Sequence, residues 1–213
     1  MCSAIVNSFA NNIAKALFSI LNCVQNDNLD DWVVFGYGNI EIIDGGANST
    51  SHSFKNSRRT SHSQGVKQEI NVHCLIEGDR MEIDTFLKLK NGNSGFVCDK
   101  GERYGRPRAC PLISIKFHVP SAQNGYIWHH IANEDPSEWD PDGFNHYRGH
   151  FEITSEMTTS TEAYLFIYGV RPGVDIMFDE VSITKYTFPL TTCSQLIRGG
   201  DAEVCKSFEV LYI

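Results

Sequence analysis

The 213-residue chain is poor in basic side chains, with 18 Lys and Arg against 26 Asp and Glu and a formal charge of −8 at pH 7. Nucleic acid recognition starts from a basic surface, so this balance argues against it as a partner. Long apolar runs are also missing. The most apolar early stretch, Ala14 to Leu21, is interrupted by Lys15, and no window reaches the roughly 18 apolar residues that a membrane-spanning helix needs. Residues 1–13 contain no Lys or Arg, whereas a secretory signal has a basic start ahead of its apolar core. No Cys-x-x-Cys pair is present, which leaves a zinc knuckle without its ligand spacing. The chain has no G-x-S-x-G elbow, P-loop or H-E-x-x-H, so serine-hydrolase, nucleotide and zincin chemistry lack support.

What is present fits a soluble folded protein: 41% of the residues are hydrophobic and 21% charged, near the globular average. The length suits one all-β domain with short flanks. Seven cysteines leave one unpaired if the others are bridged. Cys98 and Cys110 bracket the polar segment DKGERYGRPRA, and a disulfide across it would restrict the unfolded chain by about 3 kcal/mol. The alternative is a pair of reduced, partly buried thiols in a cytosolic protein. Asn48-Ser49-Thr50 is a glycosylation acceptor in a glycine-rich loop, compatible with secretion.

Residues 3–22 place Ile5, Phe9, Ile13, Ala16, Leu17 and Ile20 at helical spacing, which predicts a short amphipathic lead helix. From Trp32 onward the period becomes two, and turn clusters such as DGGANS, EGD, NGNSG and RPG separate the runs. This is the pattern of a β-sandwich or jelly roll. The clearest strands are Gly65 to Leu75, Arg80 to Leu89, Pro111 to Val119, Tyr147 to Thr154, Ala163 to Gly169 and Val174 to Thr184.

Alternation then assigns faces. Between Arg80 and Leu89, Met81, Ile83, Thr85, Leu87 and Leu89 share one side, leaving Phe86 among Glu82, Asp84 and Lys88 on the wetter one. Between Ala163 and Gly169, Leu165 and Ile167 oppose Tyr164, Phe166 and Tyr168. One face fills the core, and the other offers aromatic planes on which the C–H face of a sugar ring can pack. The alternative is that these aromatics lie beneath a loop. Between Val174 and Thr184 the parity breaks near Phe178 to Glu180, which predicts a β-bulge that re-aims Asp179 and Glu180. A carboxylate there, close to loop carbonyls, is a candidate calcium ligand, the alternative being a solvated edge acid. His129, His130, His146 and His150 surround an acidic loop and read as solvated surface groups, because His146 and His150 on one strand lie about 13 Å apart. Asp140-Pro141-Asp142-Gly143 reads as a turn, since no bidentate Glu follows at the calcium-loop offset.

The order N-D-x-L-x-D-W (Asn26 to Trp32), G-G-x-x-S-x-x-H-S (Gly45 to Ser53), N-x-R-R-T with G-V-K-Q (Asn56 to Gln68), E-G-D-x-M-x-I-D-T-F-L-K-L (Glu77 to Leu89), F-x-x-Y-R-G-x-F-x-I (Phe144 to Ile153) and L-F-I-Y-G-V-R-P-G-V-D-I-M-F-D-E-V-S-I (Leu165 to Ile183) resembles the carbohydrate-binding modules of families 4, 9 and 22. The resemblance implies a galactose-binding-like β-jelly roll, non-catalytic binding of a polysaccharide, and one structural calcium ion. It implies Arg59 and Phe86 as cleft residues, Tyr126 and Tyr168 near further cleft positions, and Asp179 as the calcium-binding aspartate. Two departures stand out: Asn26 occupies the place of a calcium-binding glutamate, and Phe144 that of a tryptophan. Cys193 to Glu203 resembles the opening strand of another such module, as in a tandem array.

The organisation expected is a lead segment over 1–25, a jelly roll over 26–188, and a tail over 189–213 that starts a second repeat. Phe86 and Tyr168 are expected as stacking platforms, Tyr126 as a flanking contact and Arg59 as a hydroxyl-directed donor, in an extracellular or cell-surface protein beside further modules or a catalytic domain. Two other classes stay open. One is an adhesion or wall-structural repeat on the same fold, because fold does not settle function. The other is a glycoside hydrolase, which needs two carboxylates about 5 to 10 Å apart; Glu69, Asp84, Glu138 and Glu152 are available without a fixed pair.

Overall fold

The computed structural model describes the backbone of residues 22–25 and, in full, residues 31–102 and 105–186. Twelve strands occur among them: β1 (Asn22–Gln25), β2 (Trp32–Phe35), β3 (Asn39–Asp44), β4 (His52–Ser57), β5 (Gly65–Ile70), β6 (Arg80–Asn91), β7 (Ser94–Gly95), β8 (Leu112–His118), β9 (Tyr126–Ile131), β10 (Asn145–Glu152), β11 (Glu162–Tyr168) and β12 (Asp175–Lys185). They form two antiparallel sheets, an all-β sandwich. A seven-stranded sheet has the order β10-β6-β12-β4-β3, with β1 on β12 and β7 on β6, and a five-stranded sheet has the order β2-β5-β11-β8-β9.

The core lies between the sheets because the period-two strands turn one side inward. Met81, Ile83, Leu87 and Leu89 of β6 meet Ile113, Ile115 and Phe117 of β8 and Leu165 and Ile167 of β11 in one buried cluster. Trp32 packs edge-on against Phe178 at 4.7 Å, and Phe54 stacks on Phe178 at 5.3 Å. The strand expected from Gly65 ends at Ile70 and gives way to a 3-10 turn over Val72–Cys74, started by the Asn71 side chain accepting from His73 N–H. The parity break in β12 is a bulge: register shifts between Asp179 and Ser182, and Glu180 has φ 48°.

Asn22–Gln25, the end of the expected lead segment, is a strand on β12. The helix expected ahead of it, the repeat-like tail, Asn26, Cys2, Cys193 and Cys205 lie outside the described residues. Cys98 and Cys110 are joined by a disulfide, which closes the loop between β7 and β8. Among the described residues no helix is long and apolar enough to cross a membrane.

Candidate functional site

The outer face of the five-stranded sheet carries the aromatic side chains. Strand parity places Phe35 on β2, Tyr164, Phe166 and Tyr168 on β11, and Tyr126 and Trp128 on β9 on this one side, opposite the buried Val66, Ile115 and Leu165. Phe35 meets Phe166 edge-on at 5.0 Å, across strand β5. Gly65 makes that crossing possible, since a Cβ there would stand 2.1 Å from the Ile167 carbonyl and 2.8 Å from the Tyr168 Cβ. Phe166 in turn meets Trp128 at 5.0 Å, and Trp128 lies 6.5 Å from Tyr168.

Polar groups edge the rings. Lys116 Nζ sits 4.2 Å from the Tyr126 centroid and 5.6 Å from that of Trp128, and Lys67 Nζ sits 4.2 Å from that of Tyr164. Each cation rests on the negative face of its ring. The Ser114 hydroxyl joins Tyr168 Oη at 3.2 Å to His130 Nδ1 at 2.7 Å, a chain of donors and acceptors along one side of Trp128. Beside Tyr164, Asp31, Val33, Lys67 and Glu69 line a cleft of about 410 Å³. Behind the sheet, burial holds the His129 imidazole below its ordinary value of 6.5, with His130 adding to the effect.

The four residues expected to share one cleft do not meet. Tyr126 and Tyr168 are on this face, but Phe86 is on the outer face of the opposite sheet, where it pairs with His146 and Asp179 in register. Sequence alternation gave Phe86 a wet face without saying which sheet it belonged to. Tyr168 is only 7% exposed; the Gly169 N–H donates to the His62 carbonyl, which holds the segment after β4 against that end. The Tyr168 ring therefore backs Trp128 and offers its hydroxyl to Ser114, and does not present a free plane. Tyr126, 39% exposed, does reach solvent.

Arg59 is 4% exposed. Its guanidinium donates to the Val170 carbonyl at 2.7 Å and to the Val174 carbonyl, clamping the turn between β11 and β12. Burial pushes its pKa down to about 10, opposed by the nearby Asp175. The same desolvation raises the Asp175 carboxyl. Arg59 thus clamps this turn, with its guanidinium turned inward onto backbone carbonyls.

Asp179 is 8% exposed and anchors the 46–50 loop. One carboxylate oxygen accepts from Ala47 N–H at 2.8 Å and from the Thr50 hydroxyl at 2.6 Å, and the other accepts from Glu180 N–H at 2.9 Å. Three donors supply the positive partner that calcium would supply, and no group of three or more His, Cys, Asp or Glu among the described residues could hold a metal ion. The Asp179 carboxylate is thus satisfied by three donors of the chain itself. Asn48 sits at φ 49° in the same loop and donates to Glu180 Oε2 at 2.7 Å.

The histidines of β10 differ from the solvated groups expected. His146 faces Asp84 at 2.8 Å and Asp135 at 3.3 Å, while His150 faces Glu82 at 2.9 Å and Glu134 at 2.7 Å. Trp128 and Phe35 are not evident from the period, because β2 has only four residues and β9 carries apolar or aromatic side chains on both faces. The alternation Tyr126, Trp128, His130 against Ile127, His129, Ile131 was the available signal.

No protein-family model matches this chain, and no curated protein matches it. Solved structures do. The N-terminal family 22 carbohydrate-binding module with GH10 module of an endo-1,4-β-D-xylanase from Clostridium thermocellum, complexed with xylohexaose, aligns with TM-score 0.57 and 16% identity over 80% of this chain and 29% of that chain. A xylan-binding family 22 domain from Paenibacillus barcinonensis aligns with TM-score 0.55 and 12% identity over 80% of this chain and 96% of that one. The tandem of family 22 modules from the same organism gives TM-score 0.58 at 12% identity over 85% of this chain and 48% of that one. The chain spans less than a third of the two-module xylanase fragment. Its fold is the two-sheet β-sandwich of these family 22 carbohydrate-binding modules.

Proposed function

We propose that this chain is a non-catalytic glycan-binding module, and that the outer face of the five-stranded sheet is its binding surface. One observation carries the reading: Phe35, Phe166, Trp128 and Tyr126 make an aromatic band across the sheet, edged by Lys67, Lys116 and the Ser114–His130 pair. A sugar ring presents an apolar C–H face and a rim of hydroxyls, and the band offers a match for both. Trp128 and Tyr126 are the contact rings, with Phe166 and Tyr168 beneath and beside them. The fold supports the same class, since its structural neighbours include xylan-binding domains. The disulfide favours an oxidising, extracellular setting, and a longer polypeptide with further modules or a catalytic domain fits the arrangement of those neighbours.

Affinity electrophoresis on xylan, β-glucan, mannan and galactan tests this. Selective retardation by one polysaccharide, with no reducing sugar released over hours, is expected. Release of reducing sugar would make the protein a hydrolase, and no retardation on any would transfer the face to adhesion or wall structure.

A further inference from the structure

Away from both sheet faces, the loops at one end of the sandwich bring an exposed aromatic ring and exposed arginines together. The turn between β2 and β3 carries Tyr37, 63% exposed, between Gly36 and Gly38. A Cβ on Gly36 would stand 2.7 Å from the Gln64 Cγ, and one on Gly38 2.9 Å from the Ser57 carbonyl, so this turn is pressed onto the segment that follows β4. Arg58 opens that segment, one residue past Ser57, the partner of Asn39. Arg59 turns inward to the Val170 and Val174 carbonyls, whereas Arg58 is exposed, at φ 56°. A left-handed backbone is uncommon for a residue with a long side chain, and such conformations gather at functional sites. The disulfide loop closes in on the other side of the segment, where a Cβ on Gly105 would stand 3.1 Å from His62 Nε2. Arg106 and Arg108 come next, both exposed. Arg58, Arg106 and Arg108 make no ion pair among the described residues. Glu41, the carboxylate that feels Lys55 most and Arg58 after it, is paired with Lys55 at 2.6 Å.

These loops are braced against one another. Arg171, in the turn between β11 and β12, lies over the Phe96 ring at 5.1 Å, the Gly169 N–H donates to the His62 carbonyl, and the disulfide closes the loop that carries Arg106. Guanidinium groups without a partner on such a frame form a pre-organised anion receptor, because their planar fork matches a carboxylate. The net charge of −8 does not decide the matter, since charges more than about 8 Å away are screened at physiological ionic strength. We propose that this loop end binds an acidic sugar, a uronate residue of a polysaccharide, with its carboxylate on Arg58 and Arg106 and a C–H face of its ring on Tyr37. The choice of a sugar rests on the glycan-binding reading above; the anion site does not.

Affinity electrophoresis of the whole chain on polygalacturonate and alginate, with dextran sulfate as the sugar polymer that carries sulfate instead, tests the site. Retardation by at least one of the two uronate polymers is expected, weakening as salt rises. Arg58→Gly and Arg106→Gln should each reduce it about tenfold, the worth of one hydrogen-bonded contact to a charged group, and Tyr37→Ala should reduce it as well. Glycine accepts the positive φ that arginine holds at position 58, so Arg58→Gly should keep the parent's Tm, which separates lost binding from lost fold. All three variants should retain the parent's behaviour on neutral xylan, β-glucan and mannan, and Trp128→Ala should retain its behaviour on the uronate polymers. No retardation of the parent by either uronate polymer, or undiminished retardation of both Arg58→Gly and Arg106→Gln, overturns this site and leaves the sheet face standing. Retardation by the uronate polymers alone, lost in the arginine variants, upholds this site while the sheet face fails. Equal retardation by dextran sulfate, unaltered in Tyr37→Ala, would show attraction of any polyanion and overturn the uronate site.

Discussion

Arg59→Met separates the clamp described above from a ligand contact. The methionine keeps much of the apolar stem and removes only the guanidinium, so the two carbonyls it serves, Val170 O and Val174 O, lose their donor in a buried turn. An unsatisfied buried acceptor costs about 1–3 kcal/mol. Against this stands the relief of a desolvated charge, since burial already pushes the arginine down to about 10. Asp175, part-buried and not ion-paired with Arg59, loses a nearby positive charge but keeps that of Lys55, so the loss of the two carbonyl contacts dominates. A net loss of about 3 kcal/mol is expected. At about 2–4 °C per kcal/mol for a domain of this size, Tm falls by about 6–12 °C. Melting by circular dichroism measures it, and affinity electrophoresis below the new Tm should give retardation equal to the parent's. An unchanged Tm with lost retardation would refute the reasoning and return Arg59 to the ligand.

Other expectations follow from single contacts. Replacing Cys98 and Cys110 by serine should reduce stability to urea by about 3 kcal/mol, the entropy of a loop this size, and a reducing agent should reproduce the loss in the parent but not in the variant. Asp179→Ala strands three donors and should lower Tm by several degrees, while calcium or EDTA leaves the parent's Tm unmoved; a calcium-dependent rise in Tm that the variant lacks would restore the ion. His129 is held below 6.5 by burial, so the unfolded chain takes up its proton first. Its contribution is complete above pH 6.5 and declines as pH falls through the lower folded value. The stability of His129→Asn relative to the parent should therefore rise as pH drops below 6.5, and a pH-independent difference would show that burial does not act on that ring.

Much of the fold was legible because one mechanism wrote it. The strict alternation of β6 and β11 places Leu87 and Leu165 inward, and the structure has both in the core; the parity break at Asp179 is the bulge. What the period could not show is which sheet an outward residue belongs to. That depends on non-local pairing, β6 with β12 and β10 but β11 with β5 and β8, which is why Phe86 and Tyr168 looked like neighbours. The inward partners of Arg59 and Asp179 were not legible for another reason. A buried charge satisfied by backbone groups far along the chain, 111 residues away for Arg59 and 132 for Asp179, has the same local sequence as one that faces a ligand. β2, with four residues, is too short to display a period, and β9 carries apolar or aromatic side chains on both faces, which hid Phe35 and Trp128.

The central claim is that the five-stranded sheet's outer face binds glycan through Trp128. Trp128→Ala should weaken retention on the polysaccharide that the parent selects by about tenfold, since a stacked ring contributes about 0.5–1.5 kcal/mol beyond its area and about 1.4 kcal/mol is a factor of ten, with Tm close to the parent's. Undiminished retention in a folded Trp128→Ala protein would contradict it.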